Sequence, residues 1–424
     1  MVNNIIKGKI KRLKKSKLVE NFFYLTGLQI FNYLLPLITL PYLISVLQPE
    51  KFGLTVYAQT VMMYFIVFID YGFNLTATRR ISLLKNENKS ITEVFNSVIS
   101  TKLFLLLISL LILTLIVLLI PKFSGLWLLY FFTSGVLIGQ VFFPIWLFQG
   151  LQEMKYLMYF NFLSRIIFTI LVFIIIKTEE DFIYVNLLSS LGSILIGILS
   201  IAFVIKKYKI RFQISKRIDI EYELKDGWMV FLSNFSIQMY VSSNIIILGA
   251  FENDKTVGNY SVAEKLMIIL KQLLSVFSQV IYPHLCQLTD TPNLIKSFFK
   301  RTMIPFLSFI FVLCLLLFVF AEKIVFLMTG NSIPEIILLI RILCFVPFVV
   351  GLNIPAYQTL LAYNYKNAYS AILISGAVLN IILNFILAGL YGANGTAISV
   401  LITEFFITTG LIFALKIKLK NTVI

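Results

Sequence analysis

"YSVAEKLMIILKQLLSVFSQ", residues 260–279, is apolar enough to lie inside a bilayer, yet it carries Glu264, Lys265 and Lys271. On a helical wheel Ser261, Glu264, Lys271, Ser275, Ser278 and Tyr282 follow steps of three, four and seven, with only Ile268 interrupting. One face of this segment is therefore polar. Lys265 and Gln272 widen the stripe, while Leu266, Ile269, Leu273, Val276 and Val280 form the apolar side. Such a helix lines a cavity, or else pairs its charges with a neighbouring helix to fix packing. Glu264 and Lys271 are separated by roughly 10 Å of helix rise, which is long for a direct contact.

The rest of the chain places this stretch in a membrane. Of 424 residues, 59% are apolar and 13% charged, and the mean hydropathy is +0.92. This is an all-α integral membrane protein. Apolar runs of about 20 residues, the length that spans a hydrocarbon core, recur throughout. We expect twelve transmembrane helices near 19–47, 52–78, 95–120, 126–148, 156–177, 182–205, 227–250, 257–283, 302–321, 334–362, 367–390 and 394–415. A transmembrane β-barrel would need shorter, strictly alternating segments. The basic opening "MVNNIIKGKIKRLKKSK" is followed by an apolar run without a small-residue cleavage site, so it reads as a cytosolic anchor rather than a secretory signal.

Counting Lys and Arg loop by loop gives 26 on one side of the expected membrane and five (Lys51, Lys122, Lys177, Lys255, Lys323) on the other. By the positive-inside rule both termini are cytosolic. The longest basic connection follows span six, so the expected organisation is an N-terminal six-helix half (1–205), a basic connector (206–226) and a C-terminal six-helix half (227–424), arranged around a central cavity. A short internal echo, "KFGLTVYA" at 51–58 and "TVGNYSVA" at 256–263, sets Gly53 against Gly258.

Five basic residues fall within spans: Lys102, Arg165, Lys265, Lys271 and Arg341. The acids there are Asp70, Glu264 and Glu404. A charge at a helix centre costs about 2.5–3.5 kcal/mol on insertion scales, so each needs a partner or water. The surplus of cations points to an anionic ligand, with the five basic residues as candidate binding groups. Lys102 and Arg341, near their helix ends, could instead snorkel to the interface. The three acids are candidates for H⁺ or Na⁺ coupling or for charge pairing. Pro36 and Pro41 are expected to bend the first span, as a gate or as a static kink. Asn380 with Asn384, and Asn234 with Gln238 and Ser242, share helix faces and suit either a glycan or a neighbouring helix.

Cys286, Cys314 and Cys344 have no metal-ligand spacing, and His284 is the only histidine. Walker A, HExxH, GxSxG and GxGxxG patterns are absent, so no catalytic residue, metal or organic cofactor is assigned, and nucleic acid is not an expected partner.

"LPLITLPYLISVLQPEKFGLTVYAQ", "DYGFNLTATRRIS", "GWMVFLSNFSIQMYVSSNIIILG", "VGNYSVAEKL" and "YGANGTAISVLITE" resemble the polysaccharide transporter family, within the superfamily of multidrug, oligosaccharidyl-lipid and polysaccharide exporters, and above all its O-antigen (Wzx-type) flippases. The resemblance covers nearly the whole chain. It implies a non-enzymatic flippase of a bacterial inner membrane, carrying undecaprenyl-diphosphate-linked oligosaccharide by alternating access. It also implies membrane lipids as surroundings, and a polysaccharide polymerase and a chain-length regulator as partners. Asp70, Gly72, Asn74 and Arg79 match the family's D-x-G-x-N motif with its downstream basic residue, and Ala263, Glu264 and Lys265 match its A-E-K. After Tyr282–Pro283, where relatives often have Arg, this chain has His284, which puts a basic role there in doubt. A multidrug exporter of the same superfamily is the alternative, and a membrane-embedded polymerase or glycosyltransferase a more distant one. The basic surplus favours an anionic substrate over the cationic ones of exporters.

The topology is testable with reporter fusions. We expect a cytosolic reporter to be active at Thr291 and a periplasmic one at Lys177 and Lys255; periplasmic activity at Thr291 would overturn the orientation.

Overall fold

The computed structural model describes residues 17–84, 88–286, 292–363 and 365–420. The basic stretch 1–16, and the side chains of Tyr282, Pro283, His284 and Cys286, lie outside the described residues. Among those described, every regular element is a helix: α1 (Lys17–Asp70), α2 (Phe73–Leu83), α3 (Asn88–Leu119), α4 (Pro121–Ser124), α5 (Trp127–Phe142), α6 (Ile145–Gly150), α7 (Met154–Ile175), α8 (Phe182–Tyr208), α9 (Arg217–Phe251), α10 (Asp254–Cys286), α11 (Pro292–Val319), α12 (Ala321–Thr329), α13 (Pro334–Leu343), α14 (Val346–Ala362) and α15 (Lys366–Lys420). A short 3₁₀ turn, Glu179–Asp181, precedes α8.

Eight helical segments among the described residues are long and apolar enough to cross a membrane, or nine when Arg217–Ser236 and Val241–Phe251 count as one bent span. This is fewer than the twelve expected, partly because two segments are of double length: Ile38–Leu83 has 46 residues and Asn367–Lys418 has 52. At about 1.5 Å per residue each exceeds twice a hydrocarbon core of about 30 Å. Each also contains a break. Gln48 (φ 57°, ψ 165°) interrupts α1, and Gly392 (φ 57°, ψ −135°) interrupts α15.

The break in α1 has a local cause. A proline disfavours the helical conformation in the residue before it, and Gln48 precedes Pro49. Pro36 and Pro41, by contrast, lie within continuous helix. The break in helical backbone thus falls at Gln48 and not at those two prolines, since membrane helices absorb a proline by small local adjustments.

Two compact units are present, and they do not follow the two halves of the sequence. One contains residues 1–40 and 61–235; the other contains 41–60 and 236–424. In the first unit α5 lies against α8 at very short range. A Cβ on Gly139 would sit 2.5 Å from the Ser193 carbonyl, and one on Gly197 would sit 2.9 Å from the Gly139 oxygen. Small residues let backbones approach this closely, and Asn186 adds a 2.9 Å hydrogen bond to Thr133.

In the second unit α10 packs on α13, α14 and α15. Leu270, Leu274, Met303, Ile310 and Ile354 form its core, and the Phe277 and Phe306 rings stack at 3.7 Å. Asn380 and Asn384 are buried there. Asn380 donates to Thr403 at 3.3 Å and Asn384 to Asn244 at 3.0 Å, which favours the interhelical reading of these amides. Cys314 and Cys344 are buried free thiols, as small core residues should be.

The sequence echo is also a spatial one. A Cβ on Gly53 would fall 2.5 Å from the Gly258 Cα, and one on Gly258 would fall 1.7 Å from the Pro49 oxygen. We expect Gly258→Ala to cost about 1–3 kcal/mol through overpacking against backbone, read as a lower unfolding midpoint in detergent. Gly125→Ala, with nothing within 4 Å of its Cβ, should leave the midpoint unchanged.

Candidate functional site

An apolar helix tolerates a charge only when a second residue brings the opposite one, and two of the five in-span cations are resolved this way. Lys102, on α3, is 1% exposed. Its Nζ donates to Asp70 Oδ1 at 2.7 Å and to the Gln140 carbonyl at 3.3 Å. The second carboxylate oxygen accepts from Gln140 Nε2 at 2.7 Å and from Asn74 Nδ2 at 3.4 Å. Asp70 thus gathers α2, α3 and α5 around the end of α1. Lys102 does not snorkel, and its ammonium is enclosed by these partners rather than offered to a ligand.

The D-x-G-x-N motif builds this geometry. Tyr71 (φ 42°) and Gly72 (φ 88°) both adopt left-handed backbone, which stops α1 at Asp70 and restarts the chain as α2. Glycine is the residue that takes such a conformation at little cost. At Gly72 it is also required for space, because a Cβ would lie 2.6 Å from the Val230 side chain. The Tyr71 ring stacks on Phe231 at 4.7 Å and 6°. Two of the quoted motifs, "DYG" and "GWMVF", therefore form one packed junction. Arg79, further along α2, is exposed.

Lys271 on α10 donates to Glu404 Oε1 of α15 at 2.6 Å. The lysine side chain is 28% exposed and the carboxylate 7%. The partner of Lys271 is thus on another helix, as the rise between Glu264 and Lys271 requires. Glu264 is buried, within the electrostatic reach of Lys265 and Lys271. These four residues make one charged cluster of two lysines and two glutamates. The polar stripe of α10 passes through it: Ser261 and Ser278 are buried, while Lys271, Gln272 and Ser275 are partly or fully exposed.

Two in-span cations lie outside this cluster and the Asp70–Lys102 pair. Arg165 is exposed. Arg341 is exposed and sits 5.6 Å from the Phe318 ring centre. Pairing therefore absorbs part of the cation surplus counted in the sequence, and the surplus that remains among the described residues lies in Lys265, Arg165 and Arg341.

Two polar networks escaped the sequence reading. Glu223 is fully buried and accepts from Arg80 and from Ser97 at 2.5 Å. It stands in a basic segment that reads as a solvated loop, so nothing in the pattern marked it. Gln140 could have been found, as the one amide in "GVLIGQVFF". At the start of α7, Glu153 pairs with Lys207 and accepts from Tyr208. Burial pushes its carboxyl up, but those two hydrogen bonds and the charges of Lys207 and Lys155 outweigh this and hold it below the usual carboxylate range. No group of three or more potential metal ligands occurs among the described residues.

A family profile described as "Polysaccharide biosynthesis protein" matches residues 18–289. A protein of Escherichia coli (strain K12) provisionally named O-antigen transporter is 34% identical over 400 residues, which is 93% of this chain and 96% of that protein. One of Shigella dysenteriae with the same name is 28% identical over 395 residues, 91% and 96% of the two chains. Among solved structures, an inward-facing multidrug resistance MATE family transporter of the MOP superfamily aligns with TM-score 0.70 at 15% identity over 95% of both chains. The lipid II flippase MurJ in an inward closed conformation aligns with TM-score 0.69 at 16% identity over 94% and 87%. At that identity these two likenesses concern the fold.

Removing one member of a buried ion pair costs about 3–5 kcal/mol, because the other charge is left without a partner. We expect Lys102→Ala to lower the yield of folded protein sharply and Lys102→Met with Asp70→Asn to recover most of it. Monodisperse yield in detergent is the measurement, and a well-folded Lys102→Ala protein would refute the pairing role.

Proposed function

Because the chain belongs to the polysaccharide biosynthesis protein family and a relative spanning nearly all of it is named an O-antigen transporter, we propose that it is a flippase. Its substrate would be undecaprenyl-diphosphate-linked oligosaccharide, an O-antigen or similar surface polysaccharide repeat unit, moved across the cytoplasmic membrane by alternating access. The 34% identity over 93% of the chain is the observation that carries this reading.

The chemistry of the cluster around Lys271 agrees with it. A diphosphate is anionic and the sugar chain is polar, so both need a wet, cationic surface, while the isoprenoid tail can remain in lipid. Lys271 is the in-span lysine whose ammonium is both partly exposed and held by a carboxylate. An arriving diphosphate competes with Glu404 for it. Lys265, Arg165 and Arg341 supply further positive charge. Lys102 is assigned to folding rather than to substrate.

The finer elements of the proposal are twelve spans, both termini cytosolic, H⁺ or Na⁺ coupling through one of Asp70, Glu264 and Glu404, and work alongside a polysaccharide polymerase and a chain-length regulator. Glu404 is the preferred coupling acid, because it is buried and its carboxylate holds the partly exposed Lys271.

Surface glycan measured against protein level tests the assignment. Lys271→Arg should retain most export. Lys271→Glu should abolish it at normal membrane abundance. A normal glycan level from a well-expressed Lys271→Glu protein would overturn the role of this site.

A further inference from the structure

The connector between α8 and α9 disposes of its charges unevenly. Among residues 206–226 the acids are Asp219, Glu221, Glu223 and Asp226, and three of them have partners within the protein. Asp219 accepts from the Lys216 backbone at 3.1 Å, Glu221 pairs with Arg217 at 2.9 Å, and Glu223 is buried against Arg80 and Ser97. The basic residues are treated in the opposite way. Lys207 is held by Glu153 and Arg217 by Glu221, but the side chains of Lys206, Lys209, Arg211, Lys216 and Lys225 are exposed, with no ion pair to a described acid.

Large apolar side chains stand exposed among these cations. Phe212 is 43% exposed, Ile214 80%, Ile218 71% and Tyr222 55%. Ile218 and Tyr222 are four apart and share a face of α9, and Phe212 and Ile214 alternate along the extended stretch before it. The segment is also fixed in place. Asn96 donates to the Arg211 carbonyl at 3.0 Å, and the Ser215 backbone donates to Ser100 at 2.9 Å. The connector is thereby tied to Asn96 and Ser100, which lie in the first half of the apolar helix α3.

We propose that residues 209–225 form an interfacial seat for anionic lipid, with Phe212, Ile214, Ile218 and Tyr222 in the headgroup–acyl boundary and Lys209, Arg211, Lys216 and Lys225 on lipid phosphates. Exposed apolar groups interleaved with unpaired cations are what such a surface binds, by apolar burial and electrostatic attraction together. A water-facing loop has no use for an isoleucine that is four-fifths exposed.

The test uses the full chain in nanodiscs, with an environment-sensitive fluorophore on Ile214→Cys in a background lacking the three native cysteines. In bilayers of phosphatidylcholine with one-third phosphatidylglycerol the emission should be blue-shifted relative to phosphatidylcholine alone. Raising the salt should reverse the shift at least in part. Lys209→Gln, Arg211→Gln, Lys216→Gln and Lys225→Gln together should weaken the lipid dependence about tenfold in phosphatidylglycerol titre. The salt series needs no charge variant, so poor folding of the quadruple variant leaves the test intact. Water-like emission in both bilayers overturns the proposal. So does a shift that appears only when a polyprenyl diphosphate is added, since the connector would then serve the substrate and not the bilayer.

Discussion

A charge placed in hydrocarbon must be neutralised by a residue that the fold brings to it, and the Asp70–Lys102 pair is where this constraint acts most fully. The two residues are 32 positions apart, and joining them fixes the end of α1, the course of α3 and, through Gln140, the height of α5. The pair gains little net free energy, because desolvating both ions offsets most of their attraction. Its effect is on which arrangement of helices is tolerated. Apolar helices in lipid can slide and rotate against each other at small cost, and a buried ion pair with two amide partners permits one register.

The second unit solves the same problem differently. Lys271 and Glu404 are paired, but the lysine keeps a quarter or so of its surface, and Glu264 and Lys265 stand close by. In the first site the lysine is the enclosed partner, at 1% exposure, whereas in the second it is the more exposed one, at 28%.

Much of this could be read from the chain. The interruptions at Gln48 and Gly392 fall in the gaps left between expected spans, since a proline or glycine where apolar runs meet is a strong local signal. The charges inside spans were visible as charges, but their partners were not, because pairing depends on which helices become neighbours. Lys102 looked free to snorkel and is enclosed; Lys271 was expected to need water, an acid or an anionic ligand and has Glu404. Glu223 was hidden by its company, one of four acids interleaved with seven basic residues between 206 and 226. The D-x-G-x-N motif was recognisable by resemblance, yet its physical content, two left-handed residues ending a helix beside an ion-paired carboxylate, needs backbone angles that no residue pattern supplies.

The membership of residues 41–60 in the second unit has a consequence for biosynthesis. The 175 residues from 61 to 235 belong to the first unit and separate this segment from the rest of its own. At a synthesis rate of about 5–20 residues per second, the segment around Gln48 waits roughly 10–40 s before Gly258 is made and can meet Gly53. While residues 61–235 are being made, the segment has no neighbour from the rest of its own unit. The first half of the chain is thus inserted as an unfinished piece, and nascent chains stalled before residue 258 should be the ones that membrane quality control removes.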